Sequence, residues 1–224
     1  MNSKILLLVG LPFVFGCATS PERSWTISKG NIINFDRPGY DVGATPKAFA
    51  PSELNGVGTQ AVWRVAEDAT APNGKQVITV DAKNPGPVHN IALYELLVAG
   101  DFEAEVSIKA RTGELDQGGG LIFRAQDPRN FYLVRWNPLE ENIRIYQIVD
   151  GFRRQFGDCD GPGTKGWHKL GVRVVGDRID VYFDGERKMG FRHDVFPKPG
   201  KVGLYSKSDA SSSFDDLRVR YIHE

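Results

Sequence analysis

At 224 residues, 41% apolar and 25% charged, the chain is long enough to bury a core and too apolar to be mainly disordered. Its 28 Lys and Arg are matched by 28 Asp and Glu, which leaves no positive surplus for a phosphate backbone and excludes nucleic acid as an expected partner. The 25 Gly and 13 Pro interrupt helices and punctuate turns, so the composition leans towards an all-β protein.

The first residues read as an address. Lys4 gives a positive start, and Ile5 to Phe15 is an apolar run of eleven residues, too short to span a bilayer and suited to a signal-peptide core. The run ends Val14-Phe15-Gly16-Cys17, which resembles the lipobox of bacterial lipoproteins, although Phe15 is bulkier than the usual occupant. That resemblance implies a signal peptide over residues 1–16, acylation of Cys17, a tether to residue 31 and a domain over residues 32–224. A common secretory signal with an incidental Cys is the alternative. Two or more acyl chains suffice for stable anchoring, so the expected place is the bacterial cell envelope, held in a membrane and facing the periplasm. With Cys17 acylated, Cys159 is the one remaining thiol and no intrachain disulfide can form. Asp158 and Asp160 flank it, which raises a thiol pKa and argues against a nucleophile.

From about Ile32 the apolar pattern has a period of two. Segments Gln76 to Ala82, Ile91 to Val98, Phe102 to Arg111 and Gly120 to Ala125 read as strands, followed by Phe131 to Trp136 and Ile143 to Val149. Lys169 to Val175, Ile179 to Phe183, Val202 to Lys207 and Phe214 to Tyr221 complete the series. Asp150-Gly151, Gly176-Asp177 and Asp184-Gly185 mark turns between them. Before about Asn90 the prolines are dense, and loops with edge strands are expected there. No segment carries a sustained helical period, and many short strands at roughly ten-residue spacing without an internal repeat predict a single two-sheet sandwich.

Several runs carry a family resemblance: Asp116-Gln117-Gly118-Gly119-Gly120-Leu121-Ile122-Phe123-Arg124, Asn130 through Asn142, Trp167-His168, Asp184-Gly185, Gly200 through Leu204 and Phe214-Asp215-Asp216. Together they resemble the concanavalin A-like lectin/glucanase group. Within it they are similar to the 3-keto-disaccharide hydrolases, also called domain of unknown function 1080, which are labelled family 16 glycoside hydrolase-like. The resemblance spans about Ile32 to the C-terminus and implies the fold more firmly than an activity, because such jelly rolls host lectins, binding modules and hydrolases alike.

A retaining glycosidase needs two carboxyl groups about 5 Å apart. The family 16 string Glu-x-Asp-x-Glu is absent, and the nearest match, Glu103-x-Glu105, shares its face with Lys109 and Arg111 and reads as a salt-bridged surface. Polar side chains recur on one side of three successive segments instead. Arg124, Arg135, Asn137, Arg144 and Tyr146, with Gln117, form the candidate ligand-binding set, since planar donor forks suit sugar hydroxyls and an aromatic ring suits a pyranose face. The expected partner is a carbohydrate or another cell-envelope ligand. Asp116, Glu140 and His89 would serve as acid and base if the protein resembles 3-keto-disaccharide hydrolases in activity, and a structural envelope protein is a third reading. Asp36 and Asp216, at opposite chain ends, could share a structural Ca²⁺; no other cofactor is expected, and the four histidines lack zinc-ligand spacing. Trp167 reads as a core anchor rather than a sugar platform.

Overall fold

The computed structural model describes residues 26–27, 31–33, 35–56 and 59–223. The expected signal peptide, Cys17 and most of the tether therefore lie outside the described residues. Sixteen strands follow one another without a helix among the described residues: β1 (Thr26–Ile27), β2 (Asn31–Ile33), β3 (Phe49–Leu54), β4 (Val62–Glu67), β5 (Gln76–Asp81), β6 (His89–Tyr94), β7 (Phe102–Thr112) and β8 (Gly119–Asp127). Then come β9 (Asn130–Asn137), β10 (Asn142–Val149), β11 (Phe152–Asp160), β12 (Trp167–Val175), β13 (Arg178–Phe183), β14 (Glu186–Arg192), β15 (Lys201–Lys207) and β16 (Ser211–His223).

They form two antiparallel sheets. One runs β14-β13-β12-β7-β16-β5-β4, with β1 and β2 also paired to β16; the other runs β11-β10-β9-β8-β15-β6-β3. The alternating residues Phe102, Ala104, Val106, Ile108 and Ala110 of β7 are all buried in the main core, while Glu103 and Glu105 face out and pair with Arg173, Arg220 and Lys169 on neighbouring strands. From the facing sheet, Tyr132, Val134 and Trp136 enter the same core beside Leu121, Phe123, Ile143 and Ile145. This is the two-sheet sandwich expected from the sequence period, in the jelly-roll form that the family resemblance implied.

Hairpin chemistry closes the strands. Asp150-Gly151 and Asp184-Gly185 each place two consecutive residues at positive φ (51° and 86°, 49° and 82°), as a two-residue type I′ turn requires. Differences from the sequence reading lie at the edges. β6 ends at Tyr94, not at Val98, and the sequence pattern gave no warning of β11 or β14. β11 is an outermost strand with exposed Phe152, Arg153, Arg154 and Gln155, so it has no buried face to imprint an alternation. Trp167 also differs: it is half-buried outside the core, donating to Thr70 Oγ1 at 3.1 Å with the Lys109 ammonium 5.7 Å from its ring centre.

The two ends of the sandwich differ in what they carry. At the Asp101 end, Arg124 of one sheet donates to Gly100 and Asp101, Ile222 of the other donates to the Asp101 carbonyl, and β1 pairs with the last residues of β16. The β6–β7 and β14–β15 connections and the β8–β9 and β10–β11 turns close that end. At the Asp116 end, Ser212 Oγ donates to the Gly118 carbonyl across the sheets, and the β7–β8 and β9–β10 connections lie there. Trp136 fills the core at the Asp116 end and donates its indole N–H to Pro162. We expect Trp136→Ala to lower stability by about 3–5 kcal/mol in urea unfolding; a change near zero would mean that the two sheets do not close over this side chain.

Candidate functional site

The site grows out of β9 and β10. Arg135 pairs with Arg144 and Asn137 with Asn142 across the two strands, so all four point to the outer face of the seven-stranded sheet, opposite to Trp136 and Ile143. Two guanidiniums side by side repel each other, and the chain supplies carboxylates from two connections. Glu140 Oε2 accepts from Arg135 Nη2 at 2.8 Å, from Arg144 Nη1 at 2.7 Å and from Asn142 Nδ2 at 3.1 Å. Asp116 takes the other fork of Arg135, whose Nη1 lies 3.0 Å and 2.7 Å from its two oxygens. Asn137 Nδ2 and Lys207 Nζ donate to the same carboxylate at 3.2 Å each. Arg144 reaches on to Asp158 Oδ1 at 3.3 Å.

Local turns hold these groups in place. Asn137 Oδ1 accepts from the backbone of Leu139 and Glu140, so the residue that ends β9 also turns the chain to present Glu140. Asp209 accepts the backbone N–H groups of Glu114, Leu115 and Asp116 and thereby fixes the connection that carries Asp116. Gln117 bonds to Gly113 within that connection and makes no contact with the charged cluster. Gly118, at φ +77°, leaves room that a Cβ would fill at 2.3 Å from the Trp136 carbonyl.

Burial divides the cluster into supports and contacts. Arg135 and Asp116 are 2% and 1% exposed, whereas the side chains of Glu140 and Asp158 are 40% and 47% exposed and meet solvent. Burial pushes the Asp116 carboxyl up, and Arg135 and Lys207 pull it back. Glu140 is desolvated too, but its amide and guanidinium donors hold it below the usual carboxylate range. Asp116 receives four donor contacts, so its lone pairs are occupied and it acts as an anchor for Arg135. Tyr146 lies on the same face but is buried, with the Arg153 guanidinium 4.8 Å from its ring centre.

His89 also reaches this face, from β6, and is buried with Nδ1 2.6 Å from Tyr205 Oη. Burial, reinforced by Arg153, Lys207 and Arg135, lowers its pKa from 6.5 to about 4. The unfolded chain therefore takes up the proton first as pH falls, and stability present above pH 6.5 is lost between about 6.5 and 4. His89→Gln should show a shallower fall in urea midpoint over that range than the unchanged protein. Equal slopes would mean that His89 is not held neutral by burial.

Beyond the charged end, the same outer face is apolar. Leu54, Ile91, Leu93, Ile122, Phe131, Leu133, Tyr146, Ile148 and Tyr205 form a second buried cluster made of this sheet's own residues. Sequence reading places Phe131 and Leu133 here through their spacing from Arg135, but gives no reason to bring in Lys207, Arg153, Asp158 or Tyr205. β15, which carries Lys207 and Tyr205, joins the sheet from a distant part of the chain, and β11, which carries Arg153 and Asp158, follows β10 directly but shows no alternation that would place its side chains. Arg124 is the expected member that falls elsewhere. A register shift between Phe123 and Asp127, with Arg124 at φ 47°, breaks the alternation and sends its side chain to the Asp101 end, where it bonds Gly100, Phe196 and Asp101.

Asp36 and Asp216 do come near one another, around the Asn73–Gly74 turn and together with Asp215. Asp36 Oδ1 accepts from Lys75 and Gln76 N–H, Asp215 Oδ2 from Asn73 N–H, and Asp216 Oδ1 from Asn73 Nδ2. These carboxylates thus fasten a turn, and among the described residues no group of three or more His, Cys, Asp or Glu is set to hold a metal ion. Burial raises the Asp215 pKa from 3.8 to about 6 against its backbone donors, helped by the charges of Asp216 and Asp36. As pH rises from 3.8 to about 6 the unfolded chain releases the proton first, so stability falls in that window. Asp215→Asn should remove this fall and melt higher than the unchanged protein at pH 7. A lower melting point at pH 7 that added Ca²⁺ restores only in the unchanged protein would instead favour a metal at the turn.

Cys159 is half-buried and its thiol is pushed up, first by burial and then by Asp158, in line with a non-nucleophilic thiol. His168 bonds Asp184 and Thr164 at 2.7 Å each and so ties the β11–β12 connection to the β13–β14 turn.

No family model matches the chain, and no curated protein matches it. Among solved structures it is similar to the carbohydrate-binding module CBM66 from Bacillus subtilis, at 20% identity and a TM-score of 0.60, covering 78% of this chain and 95% of that one. It is also similar to a Bacillus subtilis protein of unknown function with a galectin-like fold, at 11% identity and a TM-score of 0.58, covering 88% and 99%. A third likeness is to the laminarinase catalytic domain of Thermotoga maritima, at 11% identity and a TM-score of 0.58, covering 89% and 99%. The shared feature is the fold, a two-sheet jelly roll.

Proposed function

We propose that the chain is an exported, lipid-anchored protein of the bacterial cell envelope that binds carbohydrate at the Asp116 end of its seven-stranded sheet. The observation that carries the reading is the rim formed by Glu140, Arg144 and Asp158. A sugar hydroxyl can donate to the Glu140 carboxylate while accepting from the Arg144 guanidinium, and the buried Asp116–Arg135 pair beneath holds that rim rigid. The fold shared with a carbohydrate-binding module supports the same reading. Tyr146 contributes here as a buried neighbour rather than as an open platform, because Arg153 covers its ring.

The rival reading, hydrolysis in the manner of 3-keto-disaccharide hydrolases, asks Asp116, Glu140 or His89 to exchange a proton with substrate. Hydrogen bonding favours the binder: Asp116 is saturated by donors, Glu140 is held ionised by two guanidiniums, and His89 is buried against Tyr205. Glycan-array screening followed by calorimetry on the best ligand is the test. Glu140→Gln with Arg144→Ala should weaken binding at least about tenfold, the loss of roughly one charge-assisted hydrogen bond, while the melting temperature stays close to that of the unchanged protein. Full affinity in the double variant would exclude this rim, and turnover of a 3-keto-disaccharide that is lost in Glu140→Gln would install the enzyme in place of the binder.

A further inference from the structure

The Asp101 end carries a feature that sugar binding at the opposite end does not use. The two most exposed large apolar side chains among the described residues, Phe152 at 79% and Leu96 at 73%, both lie there, in the β10–β11 hairpin and the β6–β7 connection. Val98 and Val195, from the β6–β7 and β14–β15 connections, are exposed beside the same end. Cations accompany them: Arg129, Arg154 and Lys198 are all exposed, while Arg153 turns to the outer face of the sheet over Tyr146. Of the acids at this end, Glu95 pairs with Lys201, Asp101 with Arg124 and Asp177 with Arg192, Asp127 accepts from the Arg129 N–H and Asn130, and Asp150 and Asp194 are exposed. Apolar tips flanked by arginines match an interface between acyl chains and anionic headgroups.

The chain itself says which surface this end meets. The first described residues, Thr26 and Ile27, pair with His223 and Ile222 at this same end, so residues 1–25 join the domain here. Eight residues lie between Cys17 and Thr26, a reach of at most about 30 Å when extended. We infer that the Asp101 end is a membrane-docking surface, with Phe152 and Leu96 seated in the bilayer interface and Arg129, Arg154 and Lys198 on anionic headgroups. This rests on the lipid anchor proposed above, and it fixes an orientation that an anchor alone does not. The Asp116 end then points away from the membrane.

The test uses the full chain, purified from the membranes of producing cells and reconstituted in phosphatidylethanolamine–phosphatidylglycerol vesicles. Phe152→Cys, Leu96→Cys, Leu115→Cys and Leu139→Cys are made singly in a Cys159→Ser background and labelled with an environment-sensitive fluorophore. Leu115 and Leu139 are exposed apolar residues of the Asp116 end and serve as internal controls. Docking requires labels at 152 and 96 to shift to the blue and lose several-fold in quenching by aqueous iodide, with labels at 115 and 139 unchanged. It also requires the shift to weaken in vesicles of phosphatidylcholine alone. Labels at 152 and 96 that stay as quenchable as those at 115 and 139 in vesicle-bound protein would overturn the orientation while leaving the anchor intact. Intact mass of the same preparation reads acylation of Cys17 separately, and an unacylated chain that does not bind vesicles would overturn both.

Discussion

A guanidinium removed from water must find acceptors for its N–H groups within the protein, and the two Nη groups of Arg135 impose that demand on the outer face of the seven-stranded sheet. Its two forks end on carboxylates from different connections, Asp116 and Glu140. Asp116, buried with it, could not be left out cheaply, because an unpaired buried charge costs about 3–5 kcal/mol. The requirement spreads outward. Asp116 reaches Arg135 because Asp209 holds three successive backbone N–H groups of its connection, and Glu140 reaches it because Asn137 turns the chain immediately after β9. The strand that supplies Arg135 outward supplies Tyr132, Val134 and Trp136 inward, so the core and the charged cluster share one backbone.

Much of this was legible in the sequence wherever a strand has one buried and one different face. β7, β9 and β10 show it, and their alternation correctly sorts Arg135 and Asn137 from Val134 and Trp136. Arg124 shows where the rule stops. Counting by twos from Leu121 assumes an unbroken ladder, and one backbone irregularity between Phe123 and Asp127 turns the guanidinium towards the other end of the molecule. The edge strands β11 and β14 were silent for a different reason: exposed on most positions, they leave no hydrophobic period to read. Lys207 was out of reach because its nearness to Arg135 is a product of strand order, which local spacing does not encode, and Arg153 and Asp158 because β11 carries no alternation to read.

Rigidity is what the buried cluster gives to the rim above it. Glu140 and Arg144 are half exposed, and exposed ion pairs alone are worth little, typically below about 1 kcal/mol. Here one partner of Glu140 is the fixed Arg135 guanidinium, and Asn142 adds a further donor to the same oxygen, so the carboxylate keeps its position without a ligand. A ligand hydroxyl meeting such a group forfeits little ordering entropy of the protein. Saturation withdraws Asp116 from proton transfer, since four donors fill its two oxygens and a proton could bind only by breaking one of those bonds. The donors to Glu140 all fall on Oε2, so its carboxylate still has an oxygen to offer a ligand hydroxyl.

The antiparallel sandwich also separates tasks by its ends. Every strand contributes one terminus to each end, so side chains that meet at the Asp116 end come from segments whose connections at the Asp101 end are free to differ. The β9–β10 pair illustrates it. Its connection at one end bears Glu140 and the charged rim, while the turns that follow β8 and β10 at the other bear Arg129, Asp150 and Phe152. A mutation at Phe152 is therefore separated from Glu140 by the length of a strand whose inner face is locked in the core. Changes at the two ends should combine additively in stability and in binding, since no shared partner links them. That independence allows one small domain to present a ligand-facing surface and a docking surface without either constraining the other.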